Sequence, residues 1–205
     1  MRLLLAVCFL ALPVLAHAQQ MGPEELVKKM TDEVMEAIKS DKQLAAGDRQ
    51  KALKLAEEKI LPHVDCEEAT RLAVGRSWRE ASPEQRKKLT DEFRRMLVRT
   101  YSSAVSTYQG QTMKVLPVRM KPEDTEATVR NQYIRSGAKP VSIDYSMRKT
   151  DAGWKIFDIV VEGVSLVITY RSEFDAVVKQ QGIDGLIKAL ATKNTPPAGV
   201  GSTSR

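Results

Sequence analysis

The chain has 205 residues, of which 28% are charged and 42% hydrophobic, with a formal net charge of +6. That length suits one domain with its own core. Few aromatics and dispersed lysines and arginines do not make the basic–aromatic footprint of a nucleic-acid binder, and the charges read instead as a solvated surface or a face for anionic lipid or an acidic partner.

Residues 1–18 have the make-up of an address. Arg2 gives a positive start, Leu3 to Leu15 an apolar run broken by Pro13, and Ala16-His17-Ala18 a small-x-small cleavage site. The run is too short to span a membrane. Cleavage after Ala18 by the Sec-type route is expected to remove Cys8 and His17. The mature chain then keeps one cysteine, Cys66, and one histidine, His63, and forms no internal disulfide. The expected organisation is a signal peptide over 1–18, a single domain over 19–194 and a disordered tail over 195–205, rich in Pro, Gly and Ser.

Leu26, Met30, Val34 and Ile38 recur at four-residue spacing and predict an amphipathic helix over 24–40. A second helix follows over 48–60, stopped by Pro62, and a short third runs from an Asp65 cap to Ala73. Ser82-Pro83-Glu84-Gln85 is a start signal, with Ser82 as N-cap, Pro83 at the first helical position and Gln85 as the capping-box partner. The helix it opens carries Leu89, Phe93, Leu97, Tyr101, Ala104 and Tyr108 on one stripe, and Gly110 ends it. The period then becomes two. Weak strands over 113–118 and 125–135 precede Val141, Ile143, Tyr145 and Met147, which alternate with polar residues. Asp151-Ala152-Gly153 turns the chain into a strand over 154–161, completing a four-strand meander. Helical spacing resumes at Leu166, Tyr170 and Phe174. Gly182 breaks it, and Asp184 is placed to cap a last helix docked by Leu186, Ile187 and Leu190.

Strands segregated from helices imply an α+β fold. The expected form is a four-stranded curved antiparallel sheet packed on the long 83–108 helix, with additional N- and C-terminal helices. A cone-shaped apolar space remains between sheet and helix, filled by side chains or open to a ligand.

Catalytic chemistry is sparse. Ser165 lacks the second glycine of a nucleophile elbow. His63-Val64-Asp65-Cys66 crowds three potential ligands onto one turn, a poor zinc site. Asp144, Asp158 or Tyr145 could serve as an acid or base in an apolar cavity. Asp144, however, belongs to the wet face of its strand, and Asp158 reads as a salt-bridge partner. A non-enzyme without cofactor or metal is the expectation. An apolar-groove chaperone or adaptor, or a cone-fold enzyme, remains an alternative.

From Leu61 onward the chain resembles the MlaC family of periplasmic phospholipid-binding, or toluene-tolerance, proteins. The resemblance rests on Leu61-Pro62-His63-Val64-Asp65, Gly75-Arg76-Ser77-Trp78, the run from Phe93 to Tyr101 (FRRMLVRTY), and above all the run from Trp154 to Leu166 (WKIFDIVVEGVSL). Tyr170-Arg171 and Gly182-Ile183-Asp184-Gly185-Leu186 follow in order. Cys66 departs from the pattern, standing where an aromatic residue is expected, which bears on local packing or pocket depth.

The resemblance implies a nuclear-transport-factor-like cone and a periplasmic shuttle, expected as a monomer. Its implied partners are an outer-membrane lipoprotein–porin complex and the substrate-binding component of an inner-membrane ABC transporter. It implies a role in outer-membrane lipid asymmetry, with phospholipid as cargo. Exposing acyl chains to water costs about 0.8 kcal/mol per methylene, so a carrier needs a deep apolar lining. The lining candidates are Leu97, Tyr101, Ala104 and Tyr108 on the helix side and Ile143, Tyr145, Met147, Ile156 and Val160 on the sheet side. Val164, Leu166, Val167 and Tyr170 are candidates for the mouth or floor. Arg76, Arg79, Arg99 and Arg171 offer paired donors to phosphate or an acidic partner. Arg99 and Arg171 are also placed to anchor helices by pairing with acids such as Asp144 or Asp158. Lys87 and Lys88 are candidate docking charges.

Overall fold

The structure, a computed structural model, describes residues 21–105, 111–135 and 137–195. The expected signal peptide, Tyr108 and the tail beyond 195 lie outside these residues.

Helix α1, Pro23–Ser40, starts with Pro at its first position and Glu24 and Glu25 in its first turn, where the helix dipole favours acids. Its stripe divides between two neighbours. Leu26, Val27 and Met30 pack on the sheet, while Ile38 packs with Leu44 of α2, Lys42–Ala45, and with Ala52 and Leu55 of α3, Arg49–Leu55. The expected 48–60 helix ends its α geometry early, widening to a π turn over Ala56–Ile60 and tightening to a 3-10 turn over Leu61–His63. Pro62 in that turn carries no N–H to continue the ladder.

Asp65 caps helix α4, Cys66–Val74, by accepting the Glu68 N–H at 2.9 Å. Helix α5, Pro83–Val105, opens on the expected capping box. Gln85 N–H donates to Ser82 Oγ at 3.2 Å, and Ser82 N–H donates to Gln85 Oε1 at 3.0 Å. Helix α6, Arg171–Asn194, kinks at Gly182, whose φ of 70° suits glycine. Asp184, expected as a cap, instead accepts a hydrogen bond from Gln85 Nε2 at 2.9 Å. Helices α4, α5 and α6 share one core, in which Phe93 meets Tyr170 and Phe174 edge-on at 5.4 and 5.3 Å.

Five antiparallel strands pair in sequence order: β1, Thr112–Val115; β2, Glu126–Ile134; β3, Val141–Thr150; β4, Gly153–Val161; and β5, Val164–Ser165. The α+β meander is as expected, with one short strand added. Glu162 and Gly163 both adopt positive φ, 49° and 82°, and form a two-residue hairpin turn. The chain therefore doubles back as β5 after Val161. Helix begins only at Arg171, after a 3-10 turn over Ile168–Tyr170, although apolar spacing placed its start at Leu166.

The helix lying on the apolar face of the sheet is α1, whereas α5 packs chiefly on α6, α4 and α3. Beneath α1 sit Val129, Tyr145, Met147, Trp154 and Ile156, all buried. Beyond the far edge of β4, Val64 bridges Ile156 and Asp65 N–H donates to the Ile156 carbonyl at 2.7 Å. Arg148 reaches from β3 to the Asp65 carboxylate at 2.6 Å and to Glu68 at 2.9 Å, fixing the start of α4 to the sheet.

Candidate functional site

The strand register arranges the apolar face in rows. Met147 pairs with Ile156 but Ser146 pairs with Asp158, so Phe157 is an extra residue, a β-bulge. Past the bulge the alternation changes phase: Ile159 and Val161 join Tyr145 and Ile143 on the apolar face, while Asp158 and Val160 stand with Ser146 and Asp144 on the other. From the open end inward, the first row is Met113, Tyr133 and Val141. The second is Val115, Asn131, Ile143, Val161 and Val164. The third holds Val129, Tyr145 and Ile159, with Leu166 bonded alongside through its N–H to the Ile159 carbonyl at 2.9 Å.

Helix α1 covers the inner rows and leaves the outer ones open. Val129, Met147 and Ile156 are at most 1% exposed, whereas Val141 is 36% and Val164 58% exposed. Met113, Tyr133, Ile143, Val161 and Leu166 are half-buried. The segment from Val164 to Tyr170 leads from this open surface into the helical core. There Tyr170 stacks on Phe174 at 5.6 Å, and its hydroxyl lies 3.4 Å from that of Tyr101. Burial, then the contact with Tyr170, pushes the Tyr101 phenol well above its ordinary pKa, so its hydroxyl stays neutral.

The structure distributes the expected lining residues over several places. Ile143, Val164 and Leu166 lie on the open rows. Tyr145, Met147 and Ile156 are core beneath α1. Leu97, Val167 and Tyr170 belong to the helical core, joined by Tyr101 through Tyr170. Val160 is on the opposite face, because the bulge reverses its phase. Ala104 falls within α5, and Tyr108 lies outside the described residues. Sequence reasoning missed Met113, Tyr133, Asn131, Ile159 and Val161. Alternation within the strands points to Met113 and Tyr133, but the polar Asn131 reads as solvent-facing, and no signal marked the bulge that reveals Ile159 and Val161.

The Arg171 guanidinium donates to the Leu72 carbonyl at 3.0 and 2.6 Å, tying the start of α6 to the end of α4. The expected pairing of Arg99 and Arg171 with acids is not found among the described residues. Asp144 accepts from the Ser142 hydroxyl at 3.1 Å, and Asp158 from the Ser165 hydroxyl at 2.5 Å and the Val167 N–H at 3.2 Å. Arg76 and Arg79 are exposed and Arg99 half-buried, none of them in a side-chain ion pair among the described residues. Lys87 pairs with Asp91 and Lys88 with Glu84 on the outer side of α5. Burial, then Lys155, lowers the pKa of His63, and burial raises that of Cys66, leaving a neutral imidazole and a thiol near neutral pH. No three His, Cys, Asp or Glu side chains converge as a metal site among the described residues.

A cleft of about 830 Å³ opens on the opposite face of the sheet, lined by Thr128, Arg130, Ser146 and the bulged Phe157, with Arg119 and Met120 from the β1–β2 connection. Its charged, open lining suits hydrocarbon less well than the outer rows of the apolar face.

The family model described as MlaC protein matches residues 28–192. The chain belongs to the MlaC family. This MlaC chain is 23% identical over 179 residues to the intermembrane phospholipid transport system binding protein MlaC of Haemophilus influenzae, covering 86% of this chain and 84% of that protein. It is 23% identical over 181 residues to the toluene tolerance protein ttg2D of Pseudomonas putida, covering 88% and 83%. Among solved structures it resembles the phospholipid-binding protein from Ralstonia solanacearum in complex with a phospholipid. There the identity is 36% and the TM-score 0.76, over 83% of this chain and 96% of that one. No helix among the described residues is long and apolar enough to cross a membrane.

Proposed function

We propose that this MlaC-family chain is a non-enzymatic phospholipid carrier of the periplasm. Its cargo's acyl chains lie against the outer rows of the apolar face, between Ile143 and Val161 and the segment from Val164 to Tyr170. The observation that carries this reading is the half-open apolar face, in a chain 36% identical to a protein solved with a phospholipid. Hydrocarbon moved from water onto such a face gains about 0.8 kcal/mol per methylene. No charged side chain stands in the rows from Met113 to Leu166, which fits a site that holds tails and asks little of the head group.

Arg76, Arg79 and Arg99, without ion pairs among the described residues, serve as contacts to a phosphate or an acidic partner, and Lys87 and Lys88 as weaker docking charges. Arg171, held by Leu72, acts structurally. In this reading the signal peptide is removed after Ala18, and the mature monomer shuttles lipid between an outer-membrane lipoprotein–porin complex and the substrate-binding component of an inner-membrane ABC transporter. That traffic maintains outer-membrane lipid asymmetry.

Native mass spectrometry of the mature protein, purified without detergent, with extraction of its lipid, tests the reading. A co-purifying phospholipid at fixed stoichiometry is expected. Protein that is empty, and stays empty after incubation with phospholipid vesicles, overturns it in favour of a polypeptide-binding chaperone.

A further inference from the structure

We propose that Asn131 and Tyr145 form a polar stop that sets how far acyl chains reach down the apolar face, and so which chain lengths this protein carries. The inference rests on the carrier reading above. The second and third rows are Val, Ile and Leu apart from these two residues. Asn131 is 1% exposed; its Nδ2 donates to the Val129 carbonyl at 3.2 Å, and its Oδ1 has no hydrogen-bond partner among the described residues. Tyr145 is 7% exposed and brings a phenol hydroxyl to the same boundary. Burial, then the nearby Tyr133, pushes its pKa up to about 12, so it remains a neutral donor.

The two side chains are diagonal neighbours, because Asn131 stands opposite Ile143 and Tyr145 opposite Val129. They sit where the open rows give way to the rows beneath α1. Hydrocarbon offers a partner to neither the amide oxygen nor the hydroxyl, so a chain gains less against these two residues than against the Val, Ile and Leu of the same rows. Nothing else in the second and third rows carries a polar side-chain atom, so these two residues mark the depth at which a growing chain ceases to gain.

The test uses the mature protein equilibrated with vesicles holding equal amounts of short-, medium- and long-chain saturated phosphatidylglycerols, its captured lipid read by mass spectrometry. Asn131→Leu is close to isosteric, and Tyr145→Phe removes only the hydroxyl. Each is expected to raise the ratio of long to short chains by about fivefold. An unchanged ratio, or a shift towards shorter chains, in a variant that loads normally overturns the inference and leaves the carrier reading intact. If Asn131→Leu fails to fold, Tyr145→Phe decides alone. A wild-type protein that captures no lipid from any vesicle overturns the carrier reading itself.

Discussion

Val160 and Val161 are adjacent, both half-buried and alike in chemistry, yet the bulge at Phe157 puts them on opposite faces of the sheet. An arginine at each position therefore isolates the face. Val161 shares its row with Ile143 and Val164, so Val161→Arg removes contact with two or three methylenes of a bound chain. At about 0.8 kcal/mol each, that is roughly 2 kcal/mol, or about thirtyfold weaker retention. Val160 stands opposite Asp144, so Val160→Arg gains a cross-strand pair of opposite charge, worth about 0.2–1 kcal/mol, and leaves the apolar face untouched. Both variants are folded by circular dichroism and equilibrated with the same vesicles, and lipid per protein is read by native mass spectrometry. Val161→Arg is expected to be largely empty and Val160→Arg to load as wild type. The reverse pattern refutes the face assignment, and equal loading by both refutes the sheet as the lipid surface.

Two further outcomes concern stability. Arg148→Met strands the Asp65 and Glu68 carboxylates, whose side chains are 13% and 10% exposed. Because Glu68 keeps Arg71, the loss is about 2 kcal/mol, a fall in Tm of about 4–8 °C by circular dichroism. An unchanged Tm would mean the bridge contributes nothing. His63 titrates below its ordinary 6.5, with burial the main cause and the Lys155 charge next. Below 6.5 the unfolded chain takes up a proton that the folded chain resists until its lower pKa is reached. Stability is therefore lost as pH falls through that window, while above 6.5 the effect is absent. His63→Gln is expected to flatten this part of the pH–stability curve in urea titrations, and an identical curve would count against the assignment.

Much of the fold was legible because local chemistry and tertiary packing agree. The Ser82–Gln85 capping box, the Asp65 cap, the Gly182 break and the alternation over Val141 to Met147 each specify one conformation. The misreadings occur where local pattern underdetermines packing. The 83–105 stripe is amphipathic whether it meets a sheet or other helices, and the burial of Phe93 between Tyr170 and Phe174 decides for helices. The Trp154 to Val161 run is apolar on both parities, so it cannot show where an extra residue enters. Leu166 and Tyr170 keep helical spacing although the positive φ of Glu162 and Gly163 first turns the chain into a fifth strand. Of the candidate site, Ile143 was named from strand alternation, and Val164 and Leu166 only as mouth or floor candidates. Asn131 was not, since a polar residue in a strand reads by default as a solvent-facing one.

An apolar sheet face left half uncovered is a hazard in water, because exposed patches and free strand edges invite association. This fold limits both. Strand β5 is two residues long and β1 four, and Val64 occupies part of the remaining β4 edge, so little unpaired ladder is offered. Within the strand rows the exposed apolar side chains are small: Val141 and Val164 stand at the open end, while the large Trp154 and Tyr145 are kept beneath α1. In the proposed carrier reading, a lipid laid on the outer rows completes the same core that α1 begins, and it stabilises the native state in proportion to its binding. Release needs the opposite property, a surface that no single strong contact dominates. Rows of Val, Ile and Leu without a charge supply it, since many weak contacts can be given up one methylene at a time.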